Sequence, residues 1–216
     1  QMPNVNYENG LLSWKDTSKN IRSYKVLQNG KLLKETREES LKIDTNKYGN
    51  YQVIAIANNK TESFASEPLQ VYPAVNEQII QIEDFVPKSE KAYMGFTGKG
   101  FVEISKTINR KIDIPVNVKE DGNYILGVRY ANGNGPINTE NKCAFRTILI
   151  DNKDTGTLVF PQRGKEEWSN WGWSNSLNVA LTKGLHHVVI SFESSNGNMN
   201  GDINEAMLDC VRLIKW

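Results

Sequence analysis

Apolar and polar residues alternate at period two along the first seventy positions, and no helix-period segment competes there. Leu12-Ser13-Trp14 begins one strand and Ile21 to Leu27 forms a second. Asn29-Gly30 follows, a strong two-residue hairpin signal, and Lys31-Leu32-Leu33 continues the pairing. Tyr51 to Ala57 is apolar on both faces, as a central sandwich strand should be. Ser66 to Tyr72 closes the set, with Pro68 suited to an edge strand. Short strands separated by turns about every ten residues predict a small β-sandwich. The alternation breaks at Tyr72-Pro73-Ala74-Val75-Asn76-Glu77, which reads as a linker because proline blocks continued sheet pairing.

Beyond that break the strand pattern resumes. Predicted strands are Ile79 to Ile82, Phe101 to Ile104, Lys111 to Val118, Tyr124 to Tyr130, Phe145 to Asp151, Thr155 to Phe160, Ser176 to Leu181, Leu185 to Phe192 and Leu208 to Ile214. This strand count and the wide loops between suit a double-sheet jelly roll better than a second immunoglobulin-like unit. The expected fold class is all-β: a small immunoglobulin-like sandwich over 1–73 and a larger jelly-roll sandwich over 78–216.

Charge narrows the function classes. Lys and Arg number 26 against 25 Asp and Glu, a net charge of +1 over 216 residues. No basic stripe marks a nucleic-acid partner, and no apolar run approaches the length that crosses a bilayer. The chain opens at Gln1 without an initiator Met or signal peptide, so it is expected to be an excised piece of a longer protein. Cys143 and Cys210 lack close-spaced Cys or His partners, which argues against zinc. Two buried thiols in neighbouring strands is the reading preferred over a disulfide.

Catalytic signatures are missing: no nucleophile elbow, phosphate loop, zinc-helix motif or dinucleotide fingerprint is present. His186 and His187 are adjacent in a strand pattern, so one points inward and one outward. A glycosidase needs only two carboxylates across a cleft, and Glu166-Glu167 is where acids meet aromatics. The densest chemistry is Trp168-Ser169-Asn170-Trp171-Gly172-Trp173-Ser174-Asn175. Indole faces stack on the C–H face of a sugar ring while neighbouring amides take its hydroxyls, the apolar-plus-placed-polar pattern of a small-ligand site. Strand parity would send Trp171 and Trp173 the same way, the alternative being that one or both cap the core. At least one buried and one exposed Trp are expected. Asn-rich clusters at 132–135 and 196–201 are turn chemistry first and amide donors second.

Two resemblances follow from these segments. Leu12-Ser13-Trp14-Lys15, Ile21 to Val26 and Tyr51 to Ala55 resemble a fibronectin type III domain, which implies a spacer. Six ordered segments resemble family 6 and family 35 carbohydrate-binding modules. Gln81-Ile82-Glu83-Asp84-Phe85 is similar to their opening strand, Gly100 to Ile104 to their Gly-Tyr-Val strand, and Asp121 to Ala131 to their Arg-Tyr-Ala strand. Ile150-Asp151-Asn152, Gly184-Leu185-His186 and Leu208 to Leu213 match the later turn and strands.

That resemblance implies a jelly roll with a structural calcium held by Gln81, Glu83 and Asp209 plus carbonyls near Lys99. Gln81 stands where the family often has Glu, so one fewer negative charge should weaken the site or leave it empty. It also implies a ligand site on the loops at one end: Tyr93, then Trp168 or Trp171 with Trp173 in the same cluster, then Asn200, Asp202 or Asn204. The long polar loop Asn132 to Lys142 departs from the pattern and adds Asn138 and Asn141 as candidate contacts, while Arg163 and Lys142 are candidates for an acidic sugar. The expected function is non-catalytic polysaccharide or oligosaccharide binding that targets an attached, secreted, periplasmic or cell-surface bacterial glycoside hydrolase. The alternatives are an interaction module packed on the parent catalytic domain and, behind it, a glycosidase.

Overall fold

The computed structural model of the chain describes residues 2–16, 20–44, 49–72, 77–136, 142–197 and 203–215. They belong to two compact units, Gln1–Asn76 and Glu77–Trp216. Most of the expected linker lies outside the described residues. Every strand pair described is antiparallel.

The first unit contains β1 (Asn4–Glu8), β2 (Leu11–Lys15), β3 (Ile21–Gln28), β4 (Lys31–Thr36), β5 (Ser40–Lys42), β6 (Gly49–Ala57) and β7 (Leu69–Val71). They form a β1-β2-β5 sheet and a β4-β3-β6-β7 sheet. Alternate residues of both sheets meet in one core: Leu12 and Trp14 from β2, with Tyr24, Val26, Tyr51, Val53, Ala55 and Val71 from the other sheet. Trp14 and Tyr24 pack edge-on at 5.6 Å. Asn29 and Gly30 both take positive φ, 52° and 76°, as a twisted two-residue hairpin requires. Pro68 precedes β7, an edge strand, where its missing N–H breaks no ladder. Leu32 and Leu33 are 58% and 45% exposed on β4, the opposite edge.

The second unit begins with β8 (Glu77–Gln81) and a 3-10 turn at Ile82–Asp84. Then come β9 (Val102–Ile104), β10 (Lys111–Val118), β11 (Gly122–Ala131), β12 (Asn134–Gly135), β13 (Ala144–Ile150), β14 (Lys153–Phe160), β15 (Gly164–Lys165), β16 (Gly172–Trp173), β17 (Leu177–Leu181), β18 (Gly184–Ser191) and β19 (Ala206–Lys215). One sheet runs β10-β18-β13-β14; in the other, β11 pairs β19, with β16 and β17 beside β11 and β8 and β9 beside β19. Each of the nine strands predicted here has a counterpart. The alternation of β10 is complete, burying Ile112, Ile114, Val116 and Val118 and exposing the residues between. Each such side chain contributes about 1.5–3 kcal/mol of burial.

One irregularity positions the chemistry. Val128 pairs with Val211 and Tyr130 with Leu208, so Asp209 and Cys210 both stand opposite Arg129. Leu208 and Val211 therefore both reach the core although three residues apart. A bulge of this kind re-aims a side chain and raises local twist. Here it turns Asp209 toward Arg129. Both cysteines are thiols rather than a disulfide, Cys210 buried and Cys143 half-buried. They are not in neighbouring strands as expected: Cys143 leads into β13 of one sheet and Cys210 lies in β19 of the other. His186 is buried and the His187 side chain 51% exposed, as strand alternation requires.

Candidate functional site

Phe101, Ala131 and Met207 form a small second core, with Tyr93, Phe96, Trp168 and Trp171 packed on it half-buried. Met207 alternates with the inward Ala206 and Leu208, so this cluster covers the other face of the β11–β19 sheet. Tyr93 stacks on Phe101 at 5.8 Å and on Trp168 at 5.8 Å, the latter pair only 12° from parallel. Trp171 tilts against Phe101 at 5.5 Å. Two backbone contacts latch the loops that carry these rings. The Trp171 Nε1–H donates to the Met94 carbonyl at 2.7 Å, and the Met94 N–H donates to Ser169 Oγ at 2.9 Å.

The tryptophan segment is not one strand. Arg163 grips Asn170, its Nε donating to the Asn170 carbonyl at 2.8 Å while Asn170 Nδ2 returns a bond to the Arg163 carbonyl at 2.9 Å. Gly172 sits against that guanidinium, since a Cβ there would stand 2.2 Å from Arg163 Nη1. The resulting turn breaks the expected parity. Trp168 and Trp171 join the Phe101 cluster, whereas Trp173 pairs across to Arg129 and carries the Arg212 guanidinium 3.9 Å above its ring. All three rings are half-buried, so the expectation of one buried and one exposed fails.

A polar rim adjoins Trp168. Lys91 Nζ lies 5.8 Å from the Trp168 ring and 3.2 Å from both Glu103 Oε2 and Glu205 Oε1. Burial alone would lower the pKa of this ammonium, but hydrogen bonds to Glu205 and Glu103 outweigh it and raise the value above normal. Asn134 Nδ2 donates to Asn132 Oδ1 at 3.0 Å and reaches the Glu205 carbonyl at 3.4 Å. Lys91, Glu103, Glu205 and Asn134 were not singled out by sequence. Glu103 carried a signal as the outward residue between buried Val102 and Ile104, and Asn134 as a member of the Asn-rich 132–135 cluster.

Of the other expected contacts, Asn138, Asn141, Asn200 and Asp202 lie outside the described residues. Asn204 is a correction. It is 1% exposed, and its Oδ1 accepts from the Phe145 N–H at 3.0 Å and from Arg146 Nη1 at 2.5 Å. A fully buried guanidinium demands fixed acceptors, and Asn204 supplies one, so it is unavailable to a ligand.

Gln81, Glu83 and Asp209 do converge, around the Thr97–Gly100 loop. Asp209 is fully buried, accepts from the Thr97 N–H at 3.0 Å and the Thr97 hydroxyl at 3.0 Å, and pairs with the Arg129 guanidinium. The Gln81 amide bonds the same hydroxyl at 3.1 Å. Glu83 Oε1 accepts from the Lys99 N–H at 2.7 Å and the Gly100 N–H at 3.2 Å, while its Oε2 is buried with no hydrogen-bond partner. Gly98 is required twice over. Its φ is +65°, and a Cβ would fall 2.4 Å from Glu83 Oε1 and 2.7 Å from Gln81 Oε1. Among the described residues no group of three His, Cys, Asp or Glu is placed to hold a metal. Calcium would need the two carboxylates completed by the Gln81 amide oxygen and backbone carbonyls, a donor set of the hard oxygen type it takes. The orphaned Glu83 oxygen fits such an ion.

No family model matches the chain. A cycloisomaltooligosaccharide glucanotransferase of Niallia circulans is 32% identical over 123 residues, 57% of this chain and 11% of that protein. An isomaltosyltransferase of Sporosarcina globispora is 31% identical over 104 residues, 48% of this chain and 9% of that protein. The chain thus spans about a tenth of the length of these relatives. A family 35 carbohydrate-binding module from Clostridium thermocellum superposes with a TM-score of 0.47 and 21% identity, covering 65% of this chain and 98% of that module.

Proposed function

We propose that Glu77–Trp216 is a non-catalytic carbohydrate-binding module whose sugar platform is the Tyr93–Trp168 pair. The observation that carries this reading is the near-parallel stack of the two rings, 12° apart, beside the Lys91, Glu103, Glu205 and Asn134 rim. The half-exposed parts of these rings, with a few converging polar groups beside them, suit the mixed apolar and polar surface of a pyranose. Likeness to two enzymes named for isomaltose chemistry favours a neutral α-glucan as ligand. The module would then hold an attached secreted enzyme near its polymer and raise the effective concentration of chain ends.

In this reading the parent catalytic domain is the partner and Gln1–Asn76 is a fibronectin type III-like spacer, a role its split of three and four strands supports. Gln81, Glu83 and Asp209 would hold a structural calcium that fixes the Thr97–Gly100 loop. A second reading, packing of the aromatic cluster on the parent domain, is favoured by Met94, 72% exposed beside Trp171. Titration of the chain with isomaltooligosaccharides separates the two. Binding that is lost in Trp168→Ala supports the module; no binding to any neutral glycan, with or without calcium, supports the packing role.

A further inference from the structure

We infer that Glu103 and Glu205 make this surface select neutral sugars against anionic ones, by holding the Lys91 cation that would otherwise receive a sugar carboxylate. The inference rests on the carbohydrate-binding reading and names the ligand class of that same surface. Lys91 Nζ is 3.2 Å from each carboxylate, so one positive charge faces two negative ones beside the Trp168 ring. The arrangement is partly withdrawn from water, with side-chain exposures of 38% for Lys91, 19% for Glu103 and 27% for Glu205. Screening there is weaker than at a fully solvated site.

Two arginines near the aromatic cluster are also engaged. Arg129 is paired with Asp209 and donates to the Gly95 carbonyl at 3.1 Å. Arg163 is bound to the Asn170 carbonyl and side chain. A uronate approaching Lys91 therefore meets two like charges and must displace one of them, and like-charge juxtaposition at an interface suppresses the wrong partner. A hydroxymethyl group in the same place carries no such penalty. It can donate to Glu103 or Glu205, the stronger charge-assisted type of bond.

The test compares matched ligands: methyl glycosides of glucose, galactose and mannose, each against its uronate, titrated into the full 216-residue chain and followed by indole N–H shifts. At least one neutral glycoside is expected to bind, with its uronate weaker by about tenfold or more. In the Glu103→Gln/Glu205→Gln double variant, and in part in Glu205→Gln alone, the gap should close or reverse, with an unchanged melting midpoint confirming the fold. A uronate that binds wild type as tightly as its neutral partner, or a gap that both variants leave intact, overturns the charge filter while leaving carbohydrate binding in place. Silence from all six ligands and from isomaltooligosaccharides titrated alongside them overturns the binding reading itself, and the filter with it.

Discussion

Trp168 lies flat against the backbone of Gly133: a β-carbon at residue 133 would stand 2.7 Å from the indole Cδ1 and 2.8 Å from Cδ2 and Cε2. Glycine at that position lets the Asn-rich loop press on one indole that also stacks with Tyr93. Gly133→Ala should therefore push the ring out of register with Tyr93, at an overpacking cost of about 1–3 kcal/mol. The expected outcome is a shifted tryptophan emission spectrum and weakened glycan binding. Gly197→Ala serves as the control, since its nearest neighbour would be the Ser194 carbonyl at 3.8 Å. Equal behaviour of the two variants would contradict the role given to Gly133.

Asn204 separates folding from ligand contact. Asn204→Ala leaves the buried Arg146 guanidinium and the Phe145 N–H without their shared acceptor. Stability should fall by about 2–4 kcal/mol, the range for orphaning a buried charge-assisted bond. Glycan affinity of the folded fraction should stay at the wild-type value. Denaturant unfolding and a titration below the transition check both halves.

Calcium should act on stability through Glu83. An ion at a hundredfold excess over its Kd stabilises by about 2.7 kcal/mol, so the melting midpoint is expected to rise with calcium and fall with chelator. Glu83→Gln, and Gly98→Ala, whose Cβ would crowd both Glu83 and Gln81, should abolish the response. A midpoint indifferent to calcium in wild type would remove the ion from the account.

His186 gives the pH dependence. Its Nδ1 lies 2.7 Å from Asp151 Oδ2 and its Nε2 lies 2.8 Å from the Thr182 carbonyl, two acceptors that together require the doubly protonated ring. The Asp151 bond, then the Thr182 carbonyl, hold the imidazole pKa above its ordinary value. A raised folded-state pKa contributes stability that is fully present below the unfolded value of about 6.5 and lost as pH rises through the folded one. Asp151 is lowered by the His187 N–H and then by His186, so its share is lost as pH falls through its own depressed value. Midpoints should therefore decline as pH rises from about 6.5 through the raised folded value, and His186→Gln should flatten that decline. An unchanged slope in the variant would contradict the pairing.

Sequence pattern carried the fold further than the site. Lys111 to Val118 alternates so cleanly that its buried face was legible residue by residue, and Asn29-Gly30 announced its hairpin. β1 and β5 were not singled out: Asn4–Glu8 does alternate, but its Val5 and Tyr7 are only half-buried, and Ser40–Lys42 is three residues long. At the site, the resemblance anticipated that Tyr93 meets Trp168 and that Gln81, Glu83 and Asp209 converge; what they bind is the proposal. Three things were not legible: the bulge opposite Arg129, the Arg163–Asn170 grip that sends Trp173 away from Trp171, and the Lys91 cluster. The bulge and the Lys91 cluster depend on residues distant in sequence brought together by sheet pairing, and the grip on a local turn only seven residues across, none of which a period-two pattern encodes. Asn204 was misread for the same reason, since its partner Arg146 is 58 residues away.

The central claim is that Tyr93 and Trp168 form a sugar platform, and it is tested most directly by NMR titration of the full chain with isomaltooligosaccharides. The account predicts a saturable shift of the Trp168 indole N–H, no shift of the buried Trp14 indole, and loss of binding in Trp168→Ala and Tyr93→Ala. Saturable binding that leaves the Trp168 signal unmoved, or that persists in both variants, would contradict it.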